Sequence, residues 1–290
     1  MIMSSCLVLF IHPCKDLEIR NVDVGQGDCA LITGDDIPAV LIDGGSSDIK
    51  EVADNRIIPV LRSNRVPVID WCFLTHMDSD HVNGVIGLLE NDTSGIYIER
   101  LVVSAASLSD AADGENVSRL LAAAKKRGTD VITMSAGDVL RLNGARIICL
   151  SPAKESILRR TSGSSNTDEN DNSLVLRLEY KGFSALFTGD IGEEVEKTIA
   201  DSIGDCDYLK VAHHGSRNST SGDFLKRADP ELSVISAGVN NSYGHPHKET
   251  VERLKGTGTR IYITADDGEV IMTVDEGIVR VVTMVGNGSK

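Results

Sequence analysis

The chain has 290 residues, of which 41% are hydrophobic and 4% aromatic, and its formal net charge is -14 at pH 7. This length and apolar content suffice for a buried core in one large domain or two small ones. Because phosphate binding depends on basic surface, the charge excludes a protein whose whole surface attracts nucleic acid, and any such contact is expected to be local. The few aromatic side chains also disfavour extended base-stacking surfaces.

The six cysteines are scattered, without a Cys-x-x-Cys pair, and several lie in apolar, strand-like runs. This pattern is typical of reduced, buried thiols in a cytoplasmic protein. The short apolar run at 6–11 follows no basic residue, so we expect a first strand there and not a signal peptide. No other apolar run approaches the roughly 18 residues that cross a bilayer. We therefore expect a soluble, cytoplasmic protein with no membrane partner.

In chain order, the apolar pattern predicts a meander of short strands that gives way to a β-α rhythm. Strands are predicted at 6–11, 17–24, 29–33, 39–42, 67–74, 97–103, 131–134, 139–142, 145–150, 173–180, 183–188, 208–212, 232–237, 260–264, 269–274 and 278–284. Helices are predicted at 49–62, 82–90, 116–127, 193–201, 222–226 and 248–255. The polar stretch 153–172 is predicted to be a long flexible loop. These elements suit two sheets packed face to face with helices outside.

The first chemical cluster is the segment THMDSDH from position 75, which places His76, Asp78, Asp80 and His81 directly after the predicted strand at 67–74. Imidazoles and carboxylates bind divalent cations well, and residues spaced two apart at a strand end can converge on one point. The alternative is a solvated turn in which Asp80 caps the next helix, but capping does not explain the two histidines or Asp78. The segment therefore predicts part of a metal site.

Three further clusters follow later strands: Asp190 after a Thr-Gly turn, the pair His213-His214, and His245 in an Asn-rich turn. Their alternatives are a helix cap, a structural surface pair and an ordinary loop, respectively. All the clusters lie at the carboxyl end of a predicted buried strand, the edge where α/β sheets place their sites. Jointly, they have enough carboxylates and imidazoles to hold two cations about 4 Å apart.

These motifs resemble those of metallo-β-lactamase-fold hydrolases, and they are most similar to the hydrolase domain of ComEC-type DNA-uptake competence proteins. The segments that carry the resemblance are NVDVGQGD from position 21, LIDGG from 41, THMDSDH from 75, NSLVL from 172, TGD from 188, HHGS from 213 and YGHP from 243. The resemblance implies an α/β (α+β) fold, an αββα four-layer sandwich of two mixed sheets with helices outside. We expect residues 1–290 to form one such domain, with a dinuclear metal site at one edge.

Carried over by position, the resemblance implies a specific set of ligands. The implied metal ligands are His76, Asp78 and Asn172 for a first ion, Asp80, His81 and His214 for a second, and Asp190 as the bridge. His214 is favoured over His213 because family members often have a histidine directly before glycine, although the choice within the pair stays open. The implied catalytic residues are Asp80, His213 and His245, with His245 as phosphate binder or general acid.

The chain departs from the superfamily at Asp78 and Asn172, where histidines are usual. Oxygen ligands favour harder ions, so the cofactors expected are two divalent metal ions, Zn²⁺ and/or Mn²⁺. Two other groups receive minor roles from the pattern. Asp23 and Asp28 are expected to fix the backbone of an early turn. A local phosphate track, or ordinary surface, is expected from the basic residues nearest the clusters: Lys210, Arg217, Lys226 and Arg227.

The function predicted is that of a metallo-β-lactamase-fold metallohydrolase, a phosphodiesterase or nuclease acting on nucleic acid or a nucleotide. In this prediction, hydroxide activated by two metal ions attacks phosphorus and a histidine assists the leaving oxygen. One alternative is a hydrolase of a small ester, thioester or lactone. Another is a component of a larger assembly that a protein partner regulates. Competence proteins carry membrane-spanning segments that conduct DNA, and this chain shows none, so DNA uptake itself is not inferred.

Overall fold

The computed structural model describes residues 16–110, 114–154 and 169–285. The predicted strand at 6–11, and residues 155–168 of the predicted loop at 153–172, lie outside the described residues. The last four residues of that loop form a 3-10 helix, Glu169–Asn172. Among the described helices, none combines the length and the hydropathy that a bilayer span requires.

The described strands are β1 (Leu17–Asn21), β2 (Ala30–Thr33), β3 (Val40–Ile42), β4 (Val68–Leu74), β5 (Tyr97–Ser104), β6 (Asp130–Met134), β7 (Val139–Arg141), β8 (Ala145–Ser151), β9 (Val175–Tyr180), β10 (Phe183–Phe187), β11 (Tyr208–Lys210), β12 (Leu232–Ile235), β13 (Arg260–Ile263), β14 (Val270–Asp275) and β15 (Ile278–Thr283). They form one sheet in the order β15-β14-β1-β2-β3-β4-β5-β6 and a second in the order β13-β12-β11-β10-β9-β8-β7. Both sheets are mixed, because β3 to β6 and β10 to β13 pair in parallel while the others pair antiparallel.

The described α-helices are Ile58–Ser63, Ser79–Glu90, Ala105–Asp110, Glu115–Arg127, Glu193–Ile199, Gly222–Ala228, Lys248–Thr257 and Thr264–Asp267. The predicted helix at 49–62 instead begins with a π-helical segment, Ala53–Ile57. Pro59 follows it in the first turn of the α-helix, where a residue without an N–H group is tolerated. The helices Ala105–Asp110 and Thr264–Asp267 were not predicted, since neither is long enough to show an apolar period.

Three clusters of buried apolar side chains lie between the four layers of helices and sheets. The central cluster joins Ile19, Ile32 and Phe73 of the first sheet to Leu178 and Tyr208 of the second. A second cluster lies between the first sheet and its helices, and a third between the second sheet and its helices. Strands such as β4 and β10 are apolar on both faces for this reason. The predicted αββα four-layer sandwich of two mixed sheets is confirmed.

Candidate metal centre

The candidate site lies where the carboxyl ends of strands from both sheets meet. The segment after β4 holds His76 to His81, and the segment after β10 holds Asp190. Parallel pairing of β10 with β11 and β12 brings the following segments to the same edge. The two halves are joined across the sandwich, since the backbone N–H of Leu174 donates to the carbonyl of Thr75 at 2.8 Å. Four clusters that are far apart in sequence are therefore neighbours.

His76, His81 and Asp190 form one group of potential ligands. One donor atom from each lies within 4.8 Å of the others. His76 and His81 are fully buried, and their ring centroids are 4.1 Å apart. The Nδ1 atom of His76 is 3.1 Å from the hydroxyl of Thr75. That contact orients the ring, and it leaves Nε2 as the atom available for a ligand.

Asp80, His81 and His214 form a second group, again within 4.8 Å of one another. The Nε2 atom of His214 is 3.4 Å from Oδ2 of Asp80 and 3.4 Å from Oδ2 of Asp190. The other oxygen of Asp190, Oδ1, is 3.4 Å from Nε2 of His81. Asp190 thus faces His81 with one oxygen and His214 with the other, so its carboxylate can bind cations on two sides.

The unsatisfied atoms of these residues test whether the donor set fits metal ions. Among the described residues, the Nε2 atoms of His76, His81 and His214 and the Oδ1 atom of Asp190 are buried and have no hydrogen-bond partner. Burying such groups without a partner is costly, and native proteins rarely do so without water or an ion nearby. Imidazole nitrogens and a carboxylate oxygen aimed at common points are the ligands that zinc and other first-row cations prefer. The residues present therefore fit divalent metal ions.

The electrostatics of the site agree with that fit. Burial alone would raise the pKa of Asp190, but the imidazoles of His214 and His81 hold it well below the ordinary value. Burial alone would lower the pKa of His214, but the carboxylates of Asp190 and Asp28 raise it to about 10. His214 is thus surrounded by negative charge. Such an environment attracts a cation, whether a proton or a metal ion.

His213 and His214 reach the site from an unusual backbone. β11 ends at Lys210, and not at residue 212 as predicted, because a 3-10 turn, Ala212–Gly215, follows. Within it, His213 and His214 have φ values of 49° and 52°. Left-handed conformations cost a residue with a Cβ about 1 kcal/mol or more, and they persist where the surroundings impose them. The turn sends the side chain of His214 inward, while that of His213 remains 31% exposed.

Asp43 is a site residue to which sequence reasoning gave no role. Its Oδ2 atom is 3.0 Å from Nδ1 of His81, and the hydroxyl of Thr75 donates to the same oxygen at 2.8 Å. Its Oδ1 atom accepts the backbone N–H of Thr75, also at 2.8 Å. A carboxylate on the far side of a ligating imidazole fixes the tautomer and the ring orientation. The available signal was the Asp-Gly-Gly turn directly after a buried strand.

The two predicted oxygen ligands are placed differently from the histidines. The side chain of Asp78 is 52% exposed, and its Oδ2 atom is 3.7 Å from Nε2 of His76. Asn172 is fully buried, and its amide donates to the Glu169 carboxylate at 2.9 Å. The next residue, Ser173, accepts the backbone N–H of Asp190 on its hydroxyl at 3.2 Å. Asp78 thus lies at the rim beside His76, and Asn172 lies under the Asp190 turn.

His213 and His245, the predicted proton-transfer groups, lie beside the ligand groups. The Nε2 atom of His213 is 3.8 Å from Oδ2 of Asp190. The His245 ring is 5.5 Å from that of His213 and 6.2 Å from that of His214, centroid to centroid. Burial and the neighbouring His214 and His213 lower the pKa of His245 to about 4. His245 is accordingly a neutral imidazole at neutral pH, able to donate or accept one hydrogen bond per nitrogen.

The expected phosphate track is wrong at Lys210, because that side chain is buried and its ammonium contacts Asp28 at 2.7 Å. Asp28 is also more than a backbone support, since its other oxygen is 3.4 Å from Nδ1 of His214. The three remaining basic residues are exposed and contact acidic neighbours: Arg217 with Glu249, Lys226 with Asp223, and Arg227 with Asp201.

Comparisons with known proteins agree with this picture. The profile of the family described as "Metallo-beta-lactamase superfamily" matches residues 22–239. The chain is 30% identical over 280 residues to ComE operon protein 3 of Bacillus subtilis. The matched region covers 91% of this chain and 34% of that protein. It is 29% identical over 255 residues to Recombination protein 2 of Haemophilus influenzae, covering 87% of this chain and 28% of the relative. The chain thus spans about a third of the length of these relatives.

A third relative, Competence protein ComA of Neisseria gonorrhoeae, is 27% identical over 271 residues, 92% of this chain and 34% of its own length. Among solved structures, the metallo-beta-lactamase fold protein YhfI from Bacillus subtilis superposes with a TM-score of 0.57 at 14% identity, covering 92% of this chain and 100% of that one. That similarity shows a shared fold. The predicted resemblance to ComEC-type competence proteins is confirmed.

Proposed function

The chain belongs to the metallo-β-lactamase superfamily, and we propose that it is a metal-dependent hydrolase of phosphodiester bonds in nucleic acid or a nucleotide. The observation that carries the proposal is the placement of Asp190, which lies with His76 and His81 in one group of donor atoms within 4.8 Å of one another and has its Oδ2 atom 3.4 Å from Nε2 of His214. A carboxylate shared between two donor groups is the arrangement of two-metal phosphoesterases and nucleases. The names of two relatives, which refer to recombination and to competence, support nucleic acid as the substrate class.

The proposed ligands keep the assignment that the family resemblance implies. His76, Asp78, Asn172 and Asp190 would hold a first ion, and Asp80, His81, His214 and Asp190 a second. Two divalent ions, Zn²⁺ and/or Mn²⁺, supply Lewis acidity that lowers the pKa of water and neutralises charge on phosphoryl oxygens. Oxygen donors on the His76 side favour the harder ion there.

The remaining residues bind and move protons. His245 has its Nδ1 atom buried without a hydrogen-bond partner among the described residues, and its low pKa keeps the ring neutral. A neutral ring can donate one N–H bond to a phosphoryl oxygen, and its other nitrogen can accept a hydrogen bond. His213 is partly exposed beside Asp190, so it can exchange protons with solvent and deliver one to a leaving oxygen. The carboxylate of Asp80 lies 3.4 Å from Nε2 of His214, where it can accept a proton or bind a cation.

A second candidate is hydrolysis of a small ester, thioester or lactone. The net charge of -14 supports it, because an acidic protein repels a long polyanion. A third candidate is a hydrolase that acts only within a larger assembly, which the coverage of about a third of each relative supports. All three candidate functions use the same metal-binding donor atoms. They differ in the substrate, or in the partner protein, that the site requires.

The test is a substrate panel with the purified full chain, stripped of metal and reloaded with Mn²⁺, Zn²⁺ or Mg²⁺. The panel contains single- and double-stranded DNA, RNA, cyclic nucleotides, bis(p-nitrophenyl) phosphate, a thioester and a lactone. We expect the wild type to hydrolyse the phosphodiesters. Asp80→Ala should abolish this activity, and the exposed control Asp223→Asn should retain it. Turnover of only the acyl substrates, or activity that survives Asp80→Ala, contradicts the proposal. Activity that requires an added partner favours the third candidate.

A further inference from the structure

Lys210 is a lysine in an unexpected place. Lys210 ends β11, two residues after Tyr208, so its side chain lies on the face that packs against the first sheet. It is 5% exposed. Its ammonium donates to Oδ2 of Asp28 at 2.7 Å and to the carbonyl of Val211 at 3.1 Å. A charged side chain between two sheets is costly, and it is retained only with a partner.

Asp28 comes from the other sheet, just before β2, so the ion pair spans the sandwich. Its backbone is also fixed at the site, because its N–H donates to the carbonyl of Asp80 at 3.1 Å. The Oδ1 atom of Asp28 is 3.4 Å from Nδ1 of His214. Asp28 is therefore a buried carboxylate behind His214, held in place by Lys210.

His214 needs such a partner for its ring to face the metal site. Its Nδ1 atom donates to the carbonyl of Ser236 at 3.0 Å, with Asp28 beside the same atom. In the neutral ring that binds a metal ion, Nε2 then carries the lone pair, and it faces Asp80 and Asp190 at 3.4 Å each. A carboxylate behind an imidazole raises the basicity of the opposite nitrogen. The carboxylate of Asp43 likewise lies beside Nδ1 of His81, but among the described residues no lysine contacts Asp43.

A purely structural ion pair is the competing explanation, and the structure provides a comparison. Tyr208 also bridges the sheets, since its hydroxyl donates to Oδ1 of Asn21 at 2.6 Å. That bond already joins β11 to β1 two residues further from the histidines. A second cross-sheet link for stability alone has no need of two charges, because apolar residues of similar volume are often as stabilising as a buried ion pair. The charges of Lys210 and Asp28 instead lie directly behind His214, a proposed metal ligand.

We propose that Lys210 and Asp28 are positioning residues for the metal centre: Lys210 fixes the Asp28 carboxylate, and Asp28 holds His214 with Nε2 directed at the second ion. The inference rests on the metal site of the proposed function. It predicts that the two residues govern metal affinity without being ligands themselves. Asp28 lies in the early Gly-containing turn, so the inference also makes that turn a support for the metal site.

The experiment measures metal binding by calorimetry on the full chain after chelator treatment, for wild type, Asp28→Asn, Lys210→Met, the double variant and Tyr208→Phe. The double variant removes both charges, so it guards against a single variant that fails to fold. Tyr208→Phe is the matched control, since it breaks a cross-sheet bond without touching His214. We expect affinity at one of two sites to fall about 10–100-fold in the Asp28 and Lys210 variants, and to stay unchanged in Tyr208→Phe.

Wild-type affinity in both Asp28→Asn and the double variant overturns the inference, as does an equal loss in Tyr208→Phe. A wild-type protein that binds no divalent ion contradicts the proposed function itself, which distinguishes the two failures. A second measurement needs no variant. In the zinc-loaded wild type, long-range ¹H–¹⁵N spectra should show His214 protonated on Nδ1, and protonation on Nε2 overturns the inference.

Discussion

His81 and Asp190 lie with Nε2 and Oδ1 3.4 Å apart, although they come from opposite sheets of the sandwich. Each is buried, and neither of these atoms has a hydrogen-bond partner among the described residues. The contact is too long for a good hydrogen bond, and it suits two ligands of one ion. Metal binding should therefore depend on residues from both sheets at once.

Asp190→Asn should lower metal content and activity together. The amide keeps the volume of the carboxylate but removes the charge that both donor groups share, so we expect a loss of at least about 100-fold in activity. Metal analysis of the dialysed protein by mass spectrometry checks the first effect, and phosphodiester turnover checks the second. Full metal content in this variant contradicts the bridging role.

Asp43→Asn should weaken metal binding although Asp43 is not a ligand. Its carboxylate orients the His81 ring and accepts two bonds from Thr75, and removing such support costs about 10–100-fold in metal affinity. Calorimetric titration measures it. Asp70→Asn is the matched control, because Asp70 likewise accepts a backbone N–H, that of Ala39 at 2.8 Å. An equal effect of both substitutions would indicate a general loss of stability.

Gly189→Ala should displace Asp190. Gly189 has a φ of 51°, and a Cβ there would lie 2.8 Å from Cβ of Ser173 and 3.0 Å from Cβ of Thr75. The turn must shift, and the carboxylate that follows shifts with it. Gly182→Ala is the control, since Gly182 has a φ of 87° with nothing within 4 Å of an added Cβ.

Both glycine variants carry the same kind of backbone strain, about 1–2 kcal/mol, because a residue with a Cβ disfavours positive φ. We expect both to melt at a lower temperature and only Gly189→Ala to lose metal affinity. Equal affinity in the two variants would mean that the turn absorbs the added methyl group.

Glu196 should make the stability of the fold depend on pH. It is buried, and it accepts the backbone N–H groups of Thr220 and Ser221, yet burial raises its pKa above the ordinary 4.5. A raised pKa in the folded state means that the folded protein holds this proton more tightly. The contribution is full at pH values below 4.5 and is lost as the pH rises through the folded value.

Glu196→Gln removes this titration. The difference in unfolding free energy between wild type and variant, measured by denaturant titration, should therefore change in favour of the variant as the pH rises through that window. A difference that is flat across the window contradicts the pKa shift.

The sequence predicted the layers and the edge at which the site lies because both depend on local patterns. Apolar runs such as the one that became β4 mark strands buried on both faces, and polar clusters directly after them mark the carboxyl ends. The segment from His76 to His81 shows this clearly, since it was recognised without any other part of the chain. Predicted strand ends were less accurate, as at Lys210, because the turn that follows depends on positive φ values at His213 and His214.

What the sequence by itself determined was the family, the four-layer sandwich and the residue types of the candidate ligands, all of which follow from short motifs and their order. Only the tertiary structure decided which of two adjacent histidines lies between Asp80 and Asp190, and that Lys210 is buried against Asp28 and not exposed. Those outcomes depend on contacts between opposite sheets. A lysine at the end of a strand has the same local pattern whether it faces solvent or another sheet, and only packing distinguishes the two.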